Sequence, residues 1–159
     1  MEIGRMLCIE NIYLKEKLNT KDEVLHFIGE VLWANKYIDD KEKVYEGYIA
    51  RESEGTTGFG DSFAIPHCKS SAIHEAAIVV ITLNRGIEWQ AMDGKPVDFV
   101  IALAIPEALS GTLHLELLGK LASNLMEESF TEGLRNAKNK EELFKVLKVA
   151  IEEEELWKL

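Results

Sequence analysis

Apolar positions at helical spacing open and close the chain, and two unbroken apolar runs lie between them. Val24, Leu25, Ile28, Val31 and Leu32 follow Thr20-Lys21-Asp22-Glu23 and predict a helix to about Tyr37. Thr20 with Glu23 three residues on forms a capping box at its start. Asp40 caps a second helix that turns Val44, Tyr48 and Ile49 toward the core and ends near residues 51–52. A short extended start over 6–14 precedes both. The turn-rich stretch over 55–61 leads into Phe63-Ala64-Ile65-Pro66. The proline implies an edge strand or a strand end, because it cannot donate to a ladder. Residues 76–83 and 97–105 are continuous apolar runs of strand length, the pattern of strands buried on both faces. Asp93-Gly94-Lys95-Pro96 makes the turn into the second. Thr112 opens a long helix to about Glu128, carrying Leu113, Leu117, Leu118, Leu121 and Leu125. A last helix runs from Asn139 through Leu143, Phe144, Leu147 and Ile151, with the acidic run 152–155 as its solvated end. Strands separated by helices, with helices at both ends, predict a three-layer α/β sandwich: a mixed sheet flanked by helices on both faces, in one domain over 1–159.

Composition narrows the partners. The 159 residues carry 18 Lys+Arg against 28 Asp+Glu, a formal net charge of −10. Phosphate backbones require clustered cations, so nucleic acid is excluded, and anionic membrane surfaces are repelled. No apolar run approaches the roughly 18–20 residues of a membrane span. The start, Met1-Glu2-Ile3-Gly4-Arg5, lacks the apolar core of a secretion signal, and a cytoplasmic location is expected. Two cysteines, Cys8 and Cys68, stand too far apart in sequence to suggest a disulfide framework.

The histidines are unequal. His26 lies on the polar side of the first helix, in i,i+4 register with Glu30, and reads as a surface residue. His74 sits in a loop beside Glu75 and reads as solvated. His67 directly follows Ile65-Pro66, where an extended segment leaves a glycine-rich loop, with Lys69, Ser70 and Ser71 beyond it. Taken alone it fits either a reactive imidazole held by a sheet or a satisfied histidine at a strand end. His114 falls in the first turn of a helix, where free N–H groups favour an anion; it could equally cover the sheet. Arg51, ending a helix just before the glycine-rich loop, is placed either to fork onto a phosphate or merely to suit the helix dipole. The loop lacks the Gly-Lys-Ser/Thr ending of a P-loop and spells no dinucleotide fingerprint. Neighbouring residues in an extended segment point apart, which removes a His67–Cys68 dyad. The spacing of Cys8, His67, Cys68 and His74 is not that of a zinc site, and neither metal nor other cofactor is expected.

The stretch Thr57-Gly58-Phe59-Gly60-Asp61-Ser62-Phe63-Ala64-Ile65-Pro66-His67 closely resembles the phosphorylation signature of EIIA domains of the bacterial phosphoenolpyruvate-dependent sugar phosphotransferase system, fructose/mannitol type. Arg51-Glu52, Asp93-Gly94-Lys95-Pro96-Val97 and His114-Leu115-Glu116-Leu117-Leu118-Gly119-Lys120-Leu121-Ala122 are similar to the family in the same order. One departure is Ser62, where the family commonly has Gly. The resemblance implies an α/β sandwich in which His67, at a sheet edge, accepts a phosphoryl group on Nε2 from the carrier protein HPr. His67 then passes it to a cysteine of an EIIB domain, serving sugar entry through a membrane EIIC domain. It also implies that His114 and Arg51 steady the phosphoryl group. Hydroxyls of Thr57 or Ser70 are further phosphate contacts to consider beside plain loop solvation. A nitrogen-related regulatory EIIA, which controls partner proteins by its phosphorylation state, shares the signature and stands as the alternative. A neutral imidazole offers phosphorus a lone pair without a metal, and a loose, metaphosphate-like group in flight needs mainly positioning and charge neutralisation.

Overall fold

The computed structural model describes residues 4–109 and 111–152. Two long strands carry the sheet: β5 (Ala77–Ile87) and β6 (Val97–Pro106), antiparallel, with Val80 opposite Ile101. β1 (Ile12–Glu16) runs parallel to β5 on one side. On the other side of β6 lie β3 (Phe63–Ala64) and, further along the same edge, β4 (His67–Ser70), both parallel to it. β2 (Gly58–Gly60) pairs antiparallel with β3 and ends the six-stranded mixed sheet. Residues 65–66 separate β3 from β4. Pro66 has no N–H to give, and its carbonyl instead accepts Leu103 N–H at 2.9 Å.

Alternation along the long strands divides the core in two. Val79, Ile81, Val100 and Ala102 face helices α1 (Lys21–Ala34) and α2 (Lys41–Glu54). Ile78, Val80, Ile101 and Leu103 face α3 (Leu113–Leu125), α4 (Glu128–Asn136) and α5 (Lys140–Glu152). The predicted three layers are therefore present. The predicted caps are present too. Thr20 Oγ1 accepts Glu23 N–H at 3.1 Å while the Glu23 carboxylate accepts Thr20 N–H at 3.0 Å, and Asp40 accepts Lys43 N–H at 3.1 Å.

α2 is held tightly to the edge of the sheet. Its Tyr48 hydroxyl donates to the Leu103 carbonyl at 2.7 Å. Its Gly47 lies so close to β4 that a Cβ there would stand 2.4 Å from Cys68 Sγ. These two contacts fix the helix that bears Arg51 against the strand that bears His67.

The pattern differs from the structure at several boundaries. α1 stops at Ala34 rather than near Tyr37, because Lys36 turns left-handed (φ 65°) and Tyr37 N–H returns to the Leu32 carbonyl, a Schellman-type stop. α2 runs on to Glu54, so Arg51 lies within its last turn. The early extended stretch is a strand only from Ile12, after a 3-10 turn over Ile9–Asn11. β5 continues to Ile87 through an irregularity between Thr82 and Ile87. The single long helix predicted from Thr112 breaks at Met126, and α4 follows with Phe130, Thr131 and Leu134 buried. Thr112 takes helical angles and makes no side-chain cap. Of the acidic run 152–155, residues 153–155 lie outside the described residues. Among the described residues no helix is long and apolar enough to cross a membrane.

Candidate functional site

His67 opens β4, an edge strand paired only with β6 among the described strands, and is 7% exposed. Its Nδ1 lies 2.9 Å from the Ile65 carbonyl oxygen, and its Nε2 lies 3.0 Å from Arg51 Nε. A carbonyl can only accept and a guanidinium can only donate. These two neighbours assign the tautomer: Nδ1 carries the proton, and Nε2 presents its lone pair. Arg51 also donates from Nη1 to the Gly55 carbonyl at 2.7 Å. Burial lowers the His67 pKa below the usual histidine value; the Ile65 hydrogen bond opposes this, and the Arg51 charge adds to it. The ring is thus held neutral, with its reactive electron pair aimed at a cation.

His114, in the first turn of α3, meets His67 edge-on, with ring centroids 5.1 Å apart and planes at 90°. Burial lowers its pKa too, helped by His67, Lys69 and Arg51. Its Nδ1 is buried and has no hydrogen-bond partner among the described residues. His67, Arg51, His114 and Lys69 all border one open cleft of about 750 Å³, with Phe59 and Met92 at its apolar rim. A nucleophilic nitrogen, a guanidinium, a second imidazole and an ammonium group around one opening suit a small, highly charged anion.

Thr57 also borders the cleft, but its hydroxyl and N–H are both given to the Glu52 carboxylate, the latter at 3.1 Å. Ser70 is not brought to the cleft. Strand alternation puts it with Cys68 on the face covered by α2, and its hydroxyl oxygen accepts Ala72 N–H at 3.1 Å, closing the turn after β4. The phosphate contact considered for Ser70 therefore has no support in its placement. Cys68 is free and buried, its thiol pushed up to about 12 by burial, which leaves no thiolate beside His67.

The other histidines stand elsewhere. His26 does not pair with Glu30, as its register suggested. It turns back to Asp22, with Nδ1 3.3 Å from the carboxylate, and stacks on Tyr45 at 3.8 Å; Lys41 takes Glu30 instead. His74 is exposed and paired with Asp39 at 2.7 Å.

Two features of the site were not visible as chemistry in the sequence. One is the Ile65 carbonyl that orients His67; it is a backbone atom, and no residue type announces it. The other is the turn between β2 and β3, where Asp61 and Ser62 both have positive φ (54° and 69°), the backbone of a type I′ turn. That conformation favours glycine, so Ser62 carries a left-handed backbone at a position where glycine would bear no steric cost. The turn is held from two sides. Asp93 Oδ2 accepts Asp61 N–H at 2.9 Å, and Arg135 Nη2 donates to the Asp61 carbonyl at 2.8 Å. The N–H groups of Asp61 and Lys95 keep the Asp93 carboxyl below its usual pKa. The motif that begins at Asp93 is thus a brace for the loop leading to His67.

Residues 5–150 match the family model described as "Phosphoenolpyruvate-dependent sugar phosphotransferase system, EIIA 2". The chain is 30% identical over 151 residues to the fructose-specific EIIA component of Haloferax volcanii, covering 95% of this chain and 97% of that one. It is 34% identical over 135 residues to the 2-O-alpha-mannosyl-D-glycerate-specific EIIABC component of Escherichia coli, a match spanning 84% of this chain but only 20% of that longer protein. Among solved structures, the nitrogen regulatory protein IIA-Ntr of Neisseria meningitidis superposes with a TM-score of 0.84 at 32% identity, covering 91% of this chain and 98% of that one.

Proposed function

The chain belongs to the EIIA 2 family of the phosphoenolpyruvate-dependent sugar phosphotransferase system, and from that premise we propose that it is a phosphocarrier working through His67. HPr supplies the phosphoryl group, and a cysteine of an EIIB domain receives it during uptake of fructose or a related sugar in the cytoplasm. The observation that carries this reading is the state of the His67 ring, with its proton held on Nδ1 by Ile65 and its lone pair at Nε2 inside the cleft. As the Nε2–P bond forms, the bond from phosphorus to the donor breaks, and no proton has to move. The ring becomes cationic, and the Ile65 carbonyl is already placed against its N–H. Arg51 leaves Nε2 and turns to the phosphoryl oxygens, with His114 as a second donor. Transfer to the EIIB cysteine reverses these steps.

A second reading has its own support. The likeness to the nitrogen regulatory protein of Neisseria meningitidis favours a carrier whose phosphorylation state controls other proteins. Both readings need phospho-His67 and differ in what discharges it. Intact-mass spectrometry at alkaline pH, after incubation with phosphoenolpyruvate, enzyme I and HPr, tests what they share. One added acid-labile phosphoryl group, missing in His67→Ala, is the expected result; no mass change while HPr is phosphorylated overturns both. Discharge of the phosphoprotein by an EIIB domain then favours the sugar branch.

A further inference from the structure

Glu52 makes no hydrogen bond to His67, yet hydrogen bonds lead from its carboxylate to the Nδ1 side of the ring, and the loop it holds borders the Nε2 side. Its carboxylate accepts the N–H and hydroxyl of Thr57 and the indole N–H of Trp89, the last at 3.1 Å. The Thr57 carbonyl in turn accepts Ile65 N–H at 3.0 Å, and the Ile65 carbonyl accepts the Nδ1 proton of His67. On the other side, the same loop offers the Gly55 carbonyl that Arg51 grips from Nη1 while its Nε donates to Nε2. A guanidinium is a rigid planar fork, so anchoring one arm at Gly55 sets where the Nε–H points. The loop has no room to move toward Ala91, because a Cβ at Gly58 would stand 2.7 Å from that of Ala91.

We infer that Glu52 is a positioning residue for transfer at His67, fixing the loop from which both ring nitrogens draw their hydrogen-bonding partners. This rests on the reading of His67 as the phosphoacceptor. A competing role is purely structural: Trp89 is fully buried, and Glu52 would then serve only to satisfy its indole N–H. Trp89 also donates to Thr57 Oγ1 at 3.3 Å, but the two roles separate because only the Glu52 carboxylate holds the Thr57 N–H, the stretch of backbone from which the Ile65 contact runs. The negative charge of Glu52 also raises the His67 pKa, while Arg51 and Lys69 lower it. Removing that charge, or loosening the Ile65 contact, moves the His67 titration the same way, to lower pH.

The test compares Glu52→Gln with Trp89→Phe in the full chain, using two independent readouts. Nitrogen NMR of the His67 ring needs no partner protein; the wild type should show the Nδ1–H form. Glu52→Gln should populate the other tautomer and titrate at lower pH, with Arg51, Lys69 and His114 still facing the ring. In the transfer assay, its kcat should fall about 10- to 100-fold, with KM for phospho-HPr within about twofold. Trp89→Phe, which loses the indole bonds to Glu52 and to Thr57 Oγ1 but keeps both Glu52–Thr57 bonds, should leave the ring signals as in wild type. Wild-type ring signals and kcat in Glu52→Gln overturn the inference even if its melting temperature drops, and so does a ring shift in Trp89→Phe equal to that in Glu52→Gln. Should Glu52→Gln fail to fold, Glu52→Asp keeps the charge but withdraws the oxygens by one methylene, and an unchanged ring there overturns it equally. If HPr does not phosphorylate the wild type, the phosphocarrier reading fails while the NMR comparison still decides the role of Glu52.

Discussion

His67 and His74 flank the same short strand and end in opposite circumstances. His67 enters β4 buried, with a carbonyl fixing one nitrogen and a guanidinium facing the other. His74 lies past the end of β4, exposed, with a carboxylate within 2.7 Å of its Nε2. Burial beside a cation favours the neutral ring at His67. Seven residues apart, one histidine is set up to offer an electron pair into a cleft and the other to pair with a carboxylate at the surface. Residue type says little about the chemistry; burial and the assignment of donors and acceptors decide it.

The largest expected effect breaks the comparison outright. His67→Ala should abolish HPr-dependent phosphorylation, whereas His74→Ala should label at the wild-type rate; quantitative phosphohistidine labelling reads both. The second is a pH dependence. With its folded pKa lowered, His67 resists a proton that the unfolded chain accepts below about pH 6.5. The associated stability is complete above that pH and is lost as pH falls through the depressed folded value. Thermal melts from about pH 7 to about pH 5 should therefore show wild type losing more stability than His67→Gln. The transfer rate should fall over the same acid range, because a protonated Nε2 has no lone pair to offer.

Smaller effects test what makes the His67 end of β4 rigid. Gly47→Ala pushes a methyl group into Cys68 Sγ and should cost about 1–3 kcal/mol by urea unfolding, with recovery when Cys68→Ala is added. Ser62→Gly relieves a left-handed residue in the β2–β3 turn and should gain up to about 1 kcal/mol, seen as a higher urea midpoint. No change on Ser62→Gly would mean that the bracing by Asp93 and Arg135 already absorbs the strain.

The layers were legible because the long strands are continuously apolar and the first two helices carry strong caps. The α4 helix was not. It is nine residues long and presents few apolar side chains, Phe130 and Leu134 chief among them, too few to establish a period. β4 was hidden for the opposite reason: His67-Cys68-Lys69-Ser70 has no apolar run, and it is a strand because β6 supplies a register for it. At the site, the choice of His67, His114 and Arg51 rested on motif likeness and position, and the fold brings all three to one cleft. Ser70 was drawn in by proximity in sequence, which strand alternation then reverses. The tautomer, the Schellman stop of α1 and the turn at Ser62 depend on backbone atoms and angles that side-chain identity does not record.

Placing the reactive ring on the rim of a sheet exposes main-chain donors and acceptors that could template a strand from another molecule. The exposed Lys69 sets a charge upon that rim. Lysine is a common guard against edge-to-edge aggregation, and here it stands two residues from His67. A charge that borders the cleft beside His67 thus also works against this edge pairing with a second copy of the chain.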